Sequence, residues 1–349
     1  MQIKGKELKI PLIQGGMGVG VSLGNLAGHV ALCGGMGVIS TANTGYLKKD
    51  FWENSVERNM EALKEEIIKA KNIAKGKGLV AINAMVATTG FDKMVKTAVD
   101  NSVDCIISGA GVPLNLPEYV KGTNVAIAPI VSGSKSARTI SRLWDKKYGV
   151  TADFIVIEGP KAGGHLGFKT SDLINNTAQS LETILGEVKE VIKPFEEKYA
   201  KKIPIFVAGS VNTREKVKKI LKLGASGVQV ATRFIATKEC DATYEYKKIY
   251  VDATNEQVRL IKSPVGMDGR ALDTPFLKKL DKVGRIDPKK CIGCIHTCNP
   301  KITPYCITDS LIQAANGNYE QGLYFCDDDV DIIKEISSVE NIINELFEL

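Results

Sequence analysis

The sharpest chemistry in the sequence is a histidine set among glycines, in Glu158-Gly159-Pro160-Lys161-Ala162-Gly163-Gly164-His165-Leu166-Gly167. A neutral imidazole, with an ordinary pKa of about 6.5, can take a proton from an acidic carbon or return one to an enolate. The flanking glycines let a cofactor and a substrate pack closely around it. His165 is therefore the candidate acid/base, and a surface-loop histidine with no task is the plain alternative. Of the other two histidines, His29 falls in a helical stretch and His296 sits among cysteines.

Four further segments have the side-chain economy of a ligand cradle. Gln14-Gly15-Gly16-Met17-Gly18-Val19-Gly20 lets backbone amides approach a planar or anionic ligand, although its spacing is not the dinucleotide fingerprint. Asn83, in Ile82-Asn83-Ala84-Met85, can both donate and accept along the edge of a heterocycle. Ala208-Gly209-Ser210-Val211-Asn212 leads into a helix, and Gln229-Val230-Ala231-Thr232-Arg233-Phe234 follows another apolar run. Such loops, with a helix N-terminus nearby, bind phosphate through backbone N–H groups.

Cys291, Cys294, Cys298 and Cys306 place four of the eight cysteines within 16 residues. Four close thiols suit a tetrahedral metal or an iron–sulfur cluster, while buried structural thiols explain them equally without metal.

These residues need a frame that aims them at one point. Eight short apolar, β-branched runs recur: Ile10 to Ile13, Gly37 to Ile39, Leu79 to Ile82, Val103 to Ile107, Val125 to Ile130, Phe154 to Ile157, Ile203 to Val207 and Gly227 to Val230. Amphipathic helical stretches lie between most of them, such as Val56 to Ala74, Ser134 to Tyr148 and Leu181 to Tyr199. Strands apolar on both faces, alternating with helices, predict an α/β fold, a closed (β/α)8 TIM barrel over residues 1–236. Every candidate segment then falls just after a strand, at the catalytic end. Residues 237–349 read as a C-terminal extension forming a lid or cap, helical over Tyr244 to Gln257, Thr308 to Ala315 and Val330 to Phe347, and irregular over Ser263 to Lys290.

The formal charge of +6 is carried by lysines on helix faces and gives no aromatic-interleaved basic patch, which argues against a nucleic-acid partner. No leader-like segment or membrane-length apolar run is present, so a cytoplasmic protein with reduced thiols is expected.

The segments PLIQGGMGVGVS at 11–22, INAM at 82–85, EGPKAGGHLG at 158–167, VAGSVN at 207–212 and GVQVATRF at 227–234 resemble the nitronate monooxygenase family of FMN barrels, which includes the flavin-dependent type II enoyl-ACP reductases. The resemblance covers residues 8–236 and continues more loosely to the end. It implies that Gly16, Met17 and Gly18 line the flavin, that Asn83 hydrogen-bonds it, and that Glu158, Gly163 and Gly164 lie against the ring system. Gly209 and Ser210 with Gln229, Val230, Ala231 and Thr232 would hold the phosphate, and His165 matches the catalytic histidine. Family members often carry Gln in place of Glu158 and Gly in place of Ser210 and Ala231. The first three clustered cysteines also resemble the cluster-binding run of flavin-containing dienoyl-CoA reductases, which implies a [4Fe–4S] centre.

The reaction so implied is oxidation of an alkyl nitronate, with oxygen, to a carbonyl compound and nitrite. Two alternatives stand: an NAD(P)H-dependent enoyl thioester reductase, and a non-catalytic flavin-binding subunit or sensor. A small-molecule substrate, NAD(P)H under the reductase alternative and a homodimer complete the expected partners.

Overall fold

The computed structural model describes residues 1–348. A small antiparallel hairpin, β1 (Gln2–Ile3) and β2 (Lys6–Glu7), precedes the barrel. Strands and helices then alternate: β3 (Leu12–Gln14), α1 (Gly24–Leu32), β4 (Met36–Ser40), α2 (Ser55–Ala74), β5 (Leu79–Met85), α3 (Phe91–Asp100), β6 (Cys105–Gly109), α4 (Leu116–Tyr119), β7 (Ala126–Val131), α5 (Ser134–Tyr148) and β8 (Ile155–Glu158). A short excursion, β9 (Gly164–Leu166) and α6 (Thr170–Ile174), leads to α7 (Leu181–Tyr199), β10 (Ile205–Ala208), α8 (Arg214–Lys222), β11 (Gly227–Val230) and α9 (Thr232–Ile235). Eight of these strands close into a parallel barrel, β3 to β8 followed by β10 and β11, which pairs back onto β3. The predicted (β/α)8 barrel is the fold.

Period-two alternation explains why the strands are apolar on both faces. Leu79 and Ala81 fill the barrel interior with Ile13, Met36, Val38, Ile107, Val156 and Phe206, while Val80 and Ile82 face the surrounding helices. Ile3 and Leu8 join that interior set, so the hairpin plugs the N-terminal end. Asn83 is in step with Leu79 and Ala81, which aims its amide inward at the other end. Gly37 is required by packing: a Cβ there would lie 1.8 Å from the Ala27 carbonyl oxygen, so α1 rests directly on β4.

Beyond α9 come α10 (Tyr244–Asp252), a 3-10 turn at Asn255–Gln257, β12 (Val258–Lys262), β13 (Asp268–Leu272), α11 (Pro275–Val283), α12 (Ile307–Ala315) and α13 (Val339–Phe347). Three expectations for this part need correction. Ser263 to Lys290 is not irregular: it holds β13 and α11, and β13 joins β12 to β9 in a three-stranded antiparallel sheet. The helix expected over Tyr244 to Gln257 stops at Asp252 and gives way to the 3-10 turn. The tail is helical only from Val339, because the backbone before it is committed elsewhere: the Ser337 N–H donates to the Ala236 carbonyl, and the Ser337 carbonyl accepts from the Lys238 N–H. Ser338 then caps the helix by accepting from the Asn341 N–H.

That last helix completes the barrel's outer ring. The helix after β11 is only four residues long, and α13 packs Val339, Ile342, Ile343 and Leu346 into the barrel's outer core against α1, α8 and α9. It stands where a full eighth helix would. Among the described residues no helix is long and apolar enough to cross a membrane.

Candidate active site

A cavity opens at the C-terminal ends of the barrel strands. His165 and all thirteen residues expected at a flavin (Gly16, Met17, Gly18, Asn83, Glu158, Gly163, Gly164, Gly209, Ser210, Gln229, Val230, Ala231 and Thr232) line it. They come from five separate stretches of chain, gathered because each follows or ends a barrel strand.

His165 is held on a strand, not in the free loop its glycines suggested. It sits in β9, opposite Gly269 of β13. Its Nε2 lies 2.7 Å from the Ser263 hydroxyl, which also accepts from the Val265 N–H at 3.3 Å. The Phe325 ring packs at 5.0 Å between centroids. Burial lowers the imidazole pKa to about 4, so His165 is neutral at pH 7. Burial acts oppositely on Glu158, pushing its carboxyl up to about 7.

The cavity's features fit a flavin at the ring end. A Cβ on Gly16 would come 2.6 Å from the Asn83 Cβ, and one on Gly163 would come 2.5 Å from the Cys326 backbone, so glycine at both positions lets these segments pack directly on one another in the cavity wall. The Gln229 Oε1 is buried with no hydrogen-bond partner, an acceptor left for a bound ligand. Gly209 and Ser210, just after β10, have φ of +116° and +55° and turn the chain sharply at the cavity wall.

Sequence reasoning missed the residues that the extension adds. Ser263, Met267, Leu311 and Phe325 reach the site or its wall, and nothing in their local sequence marks them. The acidic run Asp327-Asp328-Asp329 also borders the site. Asp327 lines the cavity, and its N–H donates to the Thr232 hydroxyl at 3.1 Å. Burial raises its carboxyl to about 7. Asp328 accepts from the Ser210 hydroxyl and pairs with Lys161, while Asp329 pairs with Lys216.

The expected metal centre is not assembled. Among the described residues no group of three or more His, Cys, Asp or Glu side chains is placed to hold a metal ion, Cys291, Cys294, Cys298 and Cys306 included. Cys306 instead caps α12, its sulfur accepting from the Asp309 N–H. Cys294 and Cys298 pack against an apolar cluster around Ile295 and Tyr305, and Cys291 is exposed. Burial raises the Cys294 thiol and pushes Cys306 up to about 11. The segment is stitched to the loop after β5: the Thr89 N–H donates to the Cys294 carbonyl and the His296 N–H to the Ala87 carbonyl.

The family model described as nitronate monooxygenase matches residues 2–348, nearly the whole chain. The chain belongs to the nitronate monooxygenase family. It is accordingly an FMN-dependent oxidoreductase acting on a small molecule. Among individual family relatives, a probable nitronate monooxygenase of Staphylococcus saprophyticus is 22% identical over 79% of each chain. A (3aS,4S,5R,7aS)-5-hydroxy-7a-methyl-1-oxo-octahydro-1H-indene-4-carboxyl-CoA dehydrogenase of Rhodococcus jostii is 24% identical over 79% of this chain, which spans 66% of that relative's length. Of solved structures, FabK from Thermotoga maritima matches with a TM-score of 0.74 at 23% identity, over 97% of this chain and 92% of that one. The nitroalkane oxidase from Streptomyces ansochromogenes also matches at 0.74, with 18% identity over 97% and 95%. Both show the same fold.

Proposed function

We propose that the protein oxidises alkyl nitronates with FMN and oxygen, giving a carbonyl compound and nitrite. The observation that carries this reading is a neutral His165, anchored by Ser263, facing one cavity with Asn83, Gln229, Gly16 and Gly163. Bound FMN supplies the electron acceptor and its reoxidation by oxygen. The chain's own residues do the rest. Gly16, Met17, Gly18, Gly163 and Gly164 admit the ring system at close range, and Asn83 and Gln229 offer hydrogen-bonding edges. Gly209, Ser210, Val230, Ala231 and Thr232 hold the phosphate through backbone N–H groups and the Thr232 hydroxyl. His165 hydrogen-bonds the nitro group and orients its carbon. Part of the chain beyond residue 237 acts as a cap: Met267, Leu311 and Phe325 close the cavity against bulk water.

The alternative reading of the same cavity is a reductase fed by NAD(P)H. The test is anaerobic rapid mixing of the FMN-loaded protein with ethyl nitronate, NADH and NADPH in turn. Loss of flavin absorbance with nitronate alone is expected. Rapid loss with NADH or NADPH, and none with nitronate, would overturn the reading in favour of an enoyl thioester reductase. No reaction with any of them would leave a flavin-binding subunit.

A further inference from the structure

A second, smaller cavity adjoins the first, and His165, Ala42, Met85 and Leu311 line both. Its other walls are the loop after β4, the first turn of α2 at Val56, the loop after β5 at Thr88, and the cysteine segment at Ile292, Cys294 and Ile295. An antiparallel bridge between Thr88 and Ile295 holds the cysteine segment there, and the Thr89 hydroxyl donates to the Gly293 carbonyl. At about 60 Å³, against about 220 Å³ for the first, the space has room for roughly four to six water-sized groups, too little for a second cofactor. Among the described residues its lining carries no Asp, Glu, Lys or Arg, whereas Glu158 and Asp327 line the first cavity. Its polar side chains are largely engaged within the protein. The Thr41 and Thr88 hydroxyls donate to the Asn83 and Met85 carbonyls at 3.0 and 2.7 Å, the Asn43 amide donates to the Thr308 hydroxyl at 3.0 Å, and the Asn59 Oδ1 accepts from the Gly45 N–H at 2.8 Å. A charged group placed there would lose its water without gaining a partner, while each methylene taken from water would favour binding by about fourfold.

We propose that this smaller cavity seats the substrate's tail, an uncharged, unbranched aliphatic chain that runs from the reacting carbon past His165 and ends against the cysteine segment. The identity of the reacting group rests on the nitronate reading; the tail site does not. His165 stands where the two cavities meet, so a head group hydrogen-bonded to it can extend its substituent into the larger one, given over to FMN, or into the smaller one. Only the smaller one suits hydrocarbon. Val56 from α2 and Ile292 from the cysteine segment line this cavity and not the first, and they set the chain length it accepts. The cysteine segment thereby serves the site as a wall.

The experiment has two arms, both on FMN-loaded protein. In the first, kcat/KM is measured for the preformed nitronates of nitroethane through 1-nitrooctane. In the second, the neutral amides propanamide through nonanamide, whose planar head has the shape of a nitro group, are titrated by their perturbation of the flavin absorbance. Both kcat/KM and amide affinity should rise by up to about fourfold per methylene until roughly four to six carbons follow the reacting carbon, and then level or fall. Val56→Phe and Ile292→Phe should each cut kcat/KM for the nitronate of 1-nitrohexane by at least about tenfold and leave that of nitroethane within about twofold. The nitronate of 4-nitrobutanoate, whose chain ends in a carboxylate, should be at least about tenfold poorer than that of 1-nitrobutane. Profiles flat within about twofold in wild type would overturn the proposal, as would equal losses for the ethyl and hexyl substrates in the Phe variants or a carboxylate-ended chain that outperforms its alkyl counterpart. Should either variant lose its flavin, the wild-type profiles and the other variant decide. A length profile in the amides without nitronate oxidation would keep the tail site and remove the oxidation reading; nitronate oxidation with flat profiles in both arms would do the opposite.

Discussion

The glycine–histidine segment and the cysteine segment are both short, dense in reactive side chains and visible in the bare sequence, yet the fold treats them oppositely. Glu158 ends a barrel strand, and His165 follows on a strand paired to β13, so backbone register aims both side chains into one cavity. The four clustered cysteines lie on a connecting segment between α11 and α12, aimed only by what that segment packs on. Their sulfurs end as a helix cap, two packing groups and one exposed thiol. Reactive residues close in sequence become a site when rigid elements hold them, and otherwise become packing.

The largest effect that could break this contrast is loss of His165. In His165→Ala the flavin should stay bound while kcat with nitronate falls about a hundredfold, the size expected of a group acting at the reacting centre. Flavin content by absorbance and steady-state rates check it. Unchanged kcat would put the histidine on the same footing as the cysteines.

The next effect, about tenfold, concerns the phosphate end. Asp327 is neutral below about pH 7 and charged above it, because burial raises its carboxyl. Its N–H is bonded to Thr232, one of the residues expected at the phosphate. FMN affinity, followed by flavin fluorescence quenching, should therefore weaken by about tenfold as pH rises from about 6 to 8, and Asp327→Asn should flatten that dependence. The same sign governs stability: the fold holds a proton that the unfolded chain has released, so this group's contribution is present at low pH and fades as pH climbs toward 7.

Much of the barrel and its rim was legible for one reason. Strands apolar on both faces and interrupted by amphipathic helices have few packing solutions, and the small-residue segments recur at strand ends. What was illegible came from far along the chain. Ser263 is 98 residues from His165, and only the antiparallel pairing of β13 with β9 brings its neighbourhood there. The helical pattern before Val339 was equally misleading, because a turn at Val330 to Ile333 and the backbone bonds of Ser337 to Ala236 and Lys238 commit that stretch elsewhere. Local periodicity carries no information about such long-range partners.

Ser263→Ala tests how far the anchoring of His165, as distinct from its presence, sets the rate. The variant removes the 2.7 Å bond to the imidazole, together with the longer one from the Val265 N–H, and leaves the imidazole in place. A loss of about fivefold in kcat is expected, with KM little changed, since a single such bond is worth about 1 kcal/mol. Ser263→Thr, which keeps the hydroxyl, should recover most of it. A loss as large as that of His165→Ala would mean that the extension aims the histidine more firmly than β9 does.

The smallest effect is the one that sharpens the contrast from the other side. Replacing Cys291 and Cys298 by Ala removes two thiols of the cluster, one exposed and one partly buried, while sparing the Cys306 cap. If the thiols serve packing, FMN content and nitronate turnover should change by less than about twofold, and stability by no more than about 1 kcal/mol. Anaerobically purified wild type and variant should also carry the same sub-stoichiometric iron and zinc by elemental analysis. A fall in turnover matched by loss of stoichiometric metal would show that these residues are gathered into a centre under reducing conditions. A connecting loop would then have been aimed by its ligand, as a barrel strand is aimed by its neighbours.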